Sequence, residues 1–212
     1  MIRKLAATAL IAVTGLAACS TDSEPDREQN EPTAAEETRT DEATGEETGQ
    51  ASDDNVMVVD DGIATTTDGR YNLTLADGWQ AYPAPLDETV NMTVLLVSDV
   101  NNAEFAANII GTWAPNSISG VPTTYEEWRS ATGNVFTGEG VTVDEAESIE
   151  IEGDEIDGIV VSRDADGVEI RQVVYPIFAE DGLQEVAFSA TPDVFDENLA
   201  DAQEMFASLR SN

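Results

Sequence analysis

The side chains able to do chemistry in this 212-residue chain are almost all carboxylates. Asp and Glu number 43 against nine Lys and Arg, a formal net charge of −34, with no histidine and one cysteine, Cys19. Two carboxylates at a set distance can hydrolyse a glycoside. Residues 56–212 alone hold 30 acids, so close pairs arise by chance and none stands out. Asp164-Ala165-Asp166-Gly167 with Glu169 offers the hard oxygens that Ca²⁺ prefers. It lacks the other ligand positions of a calcium loop and reads as a hairpin turn, where Asp and Gly serve the backbone. Without histidine there is no Ser-His-Asp triad and no His-containing zinc site. One cysteine makes neither an internal disulfide nor a Cys-rich cluster, and no Gly-x-Ser-x-Gly or phosphate-cradling glycine loop occurs. Folded nucleic-acid binders need a basic footprint, which this chain lacks. The expectation is a non-enzymatic protein with no catalytic residue, no cofactor, no metal and no nucleic-acid partner. Aromatics at strand and helix spacing usually belong to a core. If the chain has a ligand pocket, Trp113, Tyr125 and Trp128 are its candidate lining, with residues 114–120 as a lip.

Cys19 has a context. Arg3 and Lys4 precede 14 uncharged residues, Leu5 to Ala18, too few for the ~20 that a spanning helix needs. A cationic start, a short apolar stretch and small residues at its end read as a secretory signal peptide. Leu16-Ala17-Ala18-Cys19 resembles a bacterial lipobox, in which the Cys sulfur takes a diacylglycerol and becomes the first residue after cleavage. Two acyl chains hold a protein on a membrane where one does so only marginally. Lipidation would also cap the one thiol of a chain exported to an oxidising compartment.

Composition then changes abruptly. Residues 20–55 hold 13 acids, and their only apolar residues are alanines. With nothing to bury, such a segment is expected to be disordered, a coil of about 33 Å that its charge extends further. All 13 aromatics lie at or beyond Tyr71. The expected organisation is a signal peptide at 1–18, a lipidated Cys and acidic linker at 19–55, and one globular domain at 56–212.

Within that domain, period-two alternation marks strands. Tyr71, Leu73 and Leu75 alternate up to an Asp77-Gly78 turn. Val90, Met92, Val94 and Leu96 are expected on one face of the next strand, and Phe105–Trp113 is a third apolar run. Ile149 and Ile151 point inward from a short strand. Runs 159–163, 168–178 and 183–190 are joined by turns containing Asp166-Gly167 and Asp181-Gly182, which predicts an antiparallel meander. Two segments have helical period. Thr123-Thr124-Tyr125-Glu126 fits a capping box. Thr191-Pro192 opens a second helix whose stripe is Phe195, Leu199, Ala202, Phe206 and Leu209. Strands with two helices and no βαβ alternation make the fold class α+β.

The ordered set Tyr71-x-Leu73-x-Leu75-x-x-Gly78-Trp79, then Ala106-Ala107-Asn108-Ile109, Tyr125 and Trp128, and Ile149-x-Ile151-x-Gly153 resembles the LpqN-type lipoproteins of mycobacteria and their relatives. The closing meander and last helix extend the resemblance over residues 71–210. It implies a PsbP-like α/β/α sandwich, a mainly antiparallel sheet with helices on its faces. It also implies an actinobacterial cell-envelope lipoprotein of non-enzymatic or unknown biochemistry. The expected partners are the membrane, through Cys19 on the extracytoplasmic face, and an envelope lipid, glycan or protein.

Thirty acids face only five arginines in residues 56–212. Such a surface repels itself unless ions screen it. The melting temperature is therefore expected to rise from low to high salt; one that does not move would contradict this reading.

Overall fold

The computed structural model describes residues 56–82, 89–102 and 104–212. The strands in chain order are β1 (Val58–Asp60), β2 (Ile63–Thr65), β3 (Tyr71–Thr74), β4 (Trp79–Ala81), β5 (Val90–Leu96) and β6 (Asn108–Pro115). Helix α1 (Tyr125–Val135) follows, then β7 (Thr142–Glu145), β8 (Ile149–Ile151) and β9 (Asp154–Ile156). The meander β10 (Ile159–Ala165), β11 (Val168–Ala179) and β12 (Gly182–Ala190) leads into α2 (Pro192–Ala207) and β13 (Arg210–Ser211).

Seven strands form the main sheet in the order β4-β5-β6-β12-β11-β10-β7. Every pairing is antiparallel. Two meanders, β4-β5-β6 and β12-β11-β10, are zipped together along β6 and β12, the neighbours most distant in sequence. A four-stranded sheet, β1-β2-β3-β13, and the β8-β9 hairpin complete the strands.

Alternation along the strands gives the main sheet two buried faces. On one, Met92, Val94, Ile109, Val173, Tyr175, Val186 and Phe188 meet Phe195, Ala202, Met205 and Phe206 of α2, together with Leu73 and Ile151. Phe195 stacks on Phe188 with ring centres 5.2 Å apart, and Phe206 meets Tyr175 edge-on at 5.9 Å. On the other face, Ile159, Val161, Val174, Leu183 and Ala187 pack against Trp128 of α1, with Tyr125 and Phe136 at the margin. Helices on opposite faces of an antiparallel sheet make the expected α/β/α sandwich, and the class is α+β.

Local chemistry moves some expected details. The cap of α1 is Thr124, one residue later than expected: its hydroxyl accepts from the Glu127 N–H at 3.3 Å. Glu127 reaches back to the backbone N–H and hydroxyl of Thr123, at 3.0 and 3.1 Å. Those bonds, the Thr123 N–H first, hold the Glu127 carboxyl below its usual range. The sequence Thr-Thr-Tyr-Glu-Glu fits a capping box in either register, and the later one leaves Tyr125 as the first helical residue. In β5 a bulge sets Val90 opposite Thr112 and Met92 opposite Gly111. Val90 thus leaves the face that Met92, Val94 and Leu96 share, contrary to strict alternation.

Gly182, where β12 begins, lies so close to β6 that a Cβ there would run into the Trp113 ring and the Ala114 carbonyl oxygen. The Ala114 oxygen is backbone of the β6-β12 seam, so making room there shifts the seam itself. Gly182→Ala is expected to cost about 1–3 kcal/mol, read as a lower denaturation midpoint; an unchanged midpoint would mean the approach is looser than described.

Candidate functional site

Cys19, Leu16, Ala17 and Ala18 lie outside the described residues, as does the acidic linker. The three candidate pocket aromatics do lie within them, and Trp113 does not meet the other two. Trp113 is opposite Gln184 in the β6-β12 register and packs towards the α2 face. Tyr125 and Trp128 are on α1, against the opposite face, with ring centres 5.6 Å apart. Strand alternation separates them: Ile109 and Trp113 share one side of β6, and α1 covers the other.

Trp113 has its own cover. The Arg70 guanidinium stacks 4.0 Å from its ring centre, a cation–π contact. The same Arg70 donates to Asp181 at 2.8 Å and lies 3.6 Å from Asp68. Both ion pairs are solvent-exposed, so they orient Arg70 more than they stabilise the fold. The loop after Trp113 is tied to the β11-β12 turn, the Asn116 N–H donating to the Asp181 carbonyl and its side chain to that of Glu180. It is a brace on a hairpin tip rather than the expected lip of a pocket.

Asp164 to Gly167 is a hairpin turn. Asp166 and Gly167 take φ of 56° and 88°, and the Gly167 N–H donates to Asp164 Oδ1 at 2.8 Å. Among the described residues, no three Asp, Glu or Cys side chains converge in a way that could hold a metal ion.

The structure assembles its most unusual polar group elsewhere. Glu185 sits on the β12 face beneath α1, where Trp128 Nε1 donates to its Oε1 at 2.6 Å. Burial pushes the Glu185 carboxyl up, while hydrogen bonds from Trp128 and Thr112 pull it part of the way back. Beside it is a cavity of about 20 Å³ with Val174 and Ala187 below and Val135 and Phe136 above. Gln172 lines the same cavity, and its buried Oε1 has no hydrogen-bond partner. One strand residue away, on the other face, Gln184 is fully buried and exchanges amide hydrogen bonds with Asn91 at 2.7 and 3.2 Å. The consecutive polar pair Gln184-Glu185 inside an apolar strand was the available sequence signal for both.

No family model matches the chain, and no curated protein matches it. Among solved structures it is similar to LpqN of Mycobacterium tuberculosis, described as involved in cell envelope biogenesis. The identity is 12% and the TM-score 0.48, over 67% of this chain and 83% of that one. It is similar to the cyanobacterial PsbP of Synechocystis sp. PCC 6803, at 12% identity and a TM-score of 0.48, over 74% and 94% of the two chains. A Pseudomonas aeruginosa protein of unknown function, described as a putative regulator, gives 13% and 0.46 over 66% and 91%. These likenesses are faint in sequence and partial in shape. The fold rests on the strand order and helix placement above.

Proposed function

We propose that the chain is a cell-envelope lipoprotein, held on the extracytoplasmic face of the membrane through lipid on Cys19. Its folded domain is a non-enzymatic binding or interaction module for an envelope lipid, glycan or protein. The observation that carries this reading is the order of residues 1–55: cationic start, 14 uncharged residues, Leu16-Ala17-Ala18-Cys19, then a long acidic stretch with no aromatic residue. Each part has a physical role, in export, anchoring and standing off from the bilayer in turn. Chemistry in the domain supports a non-enzymatic role. Neither Trp128 nor Thr112, the groups bonded to Glu185, supplies the second acid or base that a hydrolytic site needs.

A second reading is an accessory lipoprotein with no small-molecule site. It is favoured by the separation of Trp113 from Tyr125 and Trp128, and by a cavity under α1 of only about 20 Å³.

Replacing Cys19 with Ala tests the anchor. The wild-type chain is expected in the membrane fraction of the producing cell and the C19A chain in the soluble exported fraction. Membrane association that survives the substitution contradicts the proposal.

A further inference from the structure

Strand β1 ends the four-stranded sheet β1-β2-β3-β13, so one side of its backbone is open. The two-residue turn Asp61-Gly62, with φ of 48° and 79°, makes Asp60 and Ile63 the hydrogen-bonded closing pair of the β1-β2 hairpin. Antiparallel pairs alternate, so Val59 and Ala64 face each other without mutual hydrogen bonds. The neighbouring strand agrees. The Leu75 N–H donates to the Gly62 carbonyl and the Thr66 N–H to that of Tyr71, which turns the backbone of Ala64 between them towards β3. Val59 therefore points its N–H and C=O away from β2, and neither has a partner among the described residues.

Side chains along this edge are apolar and uncovered. Met57 turns inward, where its sulfur accepts from the Thr93 N–H. Val59 lies on the same side of the strand but is 47% exposed. On the outer side Val58 is 63% exposed, and Ile63, opposite Asp60, is 45% exposed. Proteins ordinarily guard an edge strand with lysine, proline, a bulge or a covering segment; β1 has only its shortness and Asp60. Residues 56–69 contain Asp60, Asp61 and Asp68 and no cation. Asp68 is engaged with Thr66, Asn91 and Arg70, whereas Asp60 and Asp61 are exposed and in no ion pair among the described residues.

We propose that β1 is a docking edge for an extended segment of a partner protein in which cationic and apolar residues alternate. This rests on the interaction-module reading above and names its surface and class of partner. An added strand gives Val59 the donor and acceptor that its open side lacks. Alternation then sorts the incoming side chains. Its apolar residues extend the buried layer at Val59, and its cations lie outside with Asp60, their aliphatic stems covering Val58 and Ile63. Charge selects this occupant over others. A second copy brings 30 acids against five arginines and sets Asp60 and Asp61 against their like. The chain's own residues 20–55 hold 13 acids and no apolar residue but alanine.

The test is a titration of the full chain, followed by proton and nitrogen NMR, with a short peptide of alternating lysine and valine. A peptide of alternating glutamate and valine is the control. The lysine peptide is expected to shift the Val59 amide resonance saturably and slow its hydrogen exchange, an effect that fades as salt rises. The glutamate peptide should do neither. Val59→Pro removes the outward N–H and no β1-β2 hydrogen bond, and is expected to bind the lysine peptide about fivefold more weakly. Val58→Lys keeps the backbone edge and places a like charge beside it. Weaker binding is expected again, and this variant decides the matter if Val59→Pro does not fold. Shifts that are not centred on β1, equal binding of the two peptides, or undiminished binding by the folded variants overturns the proposal. So does a β1 shift that depends on protein concentration alone, which would assign the edge to a second copy. An unanchored chain that still binds the lysine peptide contradicts the anchor alone; an anchored chain that ignores it contradicts this edge alone.

Discussion

The seam between β6 and β12 is the constraint on which the rest of the fold depends. Each of the meanders it joins is local in sequence, but their junction pairs residues near 110 with residues near 186. Only once it forms does the sheet become wide enough to bury α2 on one face and α1 on the other. The seam also contains two glycines at close approaches. Gly111 has no room for a Cβ between Met92 and the Gln184 amide, and Gly182 has none beside Trp113. The Asn91-Gln184 amide pair satisfies two buried side chains at the same place, and Asp68 extends it to the surface at 3.0 Å. Apolar alternation would tolerate several registers there. Buried amides that must find each other tolerate one.

How much of this was legible in the residues follows from how local each cause is. The β10-β11-β12 meander was readable because Asp166-Gly167 supplies the positive φ that its first tight turn needs. The stripe of α2 was readable because Phe195, Ala202 and Phe206 recur at helical spacing over 16 residues. The start of α1 slipped by one because two threonines and two glutamates offer equivalent caps. Strands β1, β4, β7 and β13 have two to four residues each and exist because a neighbour pairs with them. The bulge that turns Val90 over also leaves no mark in a run of apolar residues.

The candidate site divides along the same line. That Tyr125 and Trp128 share a helix face was accessible from their spacing of three. That Trp113 lies across the sheet from them depends on which side of β6 each helix takes, a long-range fact. Glu185 was hidden for a related reason: a strand covered on both faces has no polar side, so an acid within it announces no direction. Its burial comes from α1, nearly 60 positions earlier in the chain.

Acidity and anchoring then fit one picture. A domain with 30 acids and five arginines resists association with its own copies. On the proposed function, a surface of that charge is repelled by an anionic membrane, and lipid on Cys19 rather than the protein surface is what would provide the attachment. The mass of the chain extracted from membranes tests that claim most directly. The account predicts a polypeptide that begins at Cys19 and carries a diacylglycerol on its sulfur. A chain that still begins at Met1 with a free Cys19 thiol would contradict it.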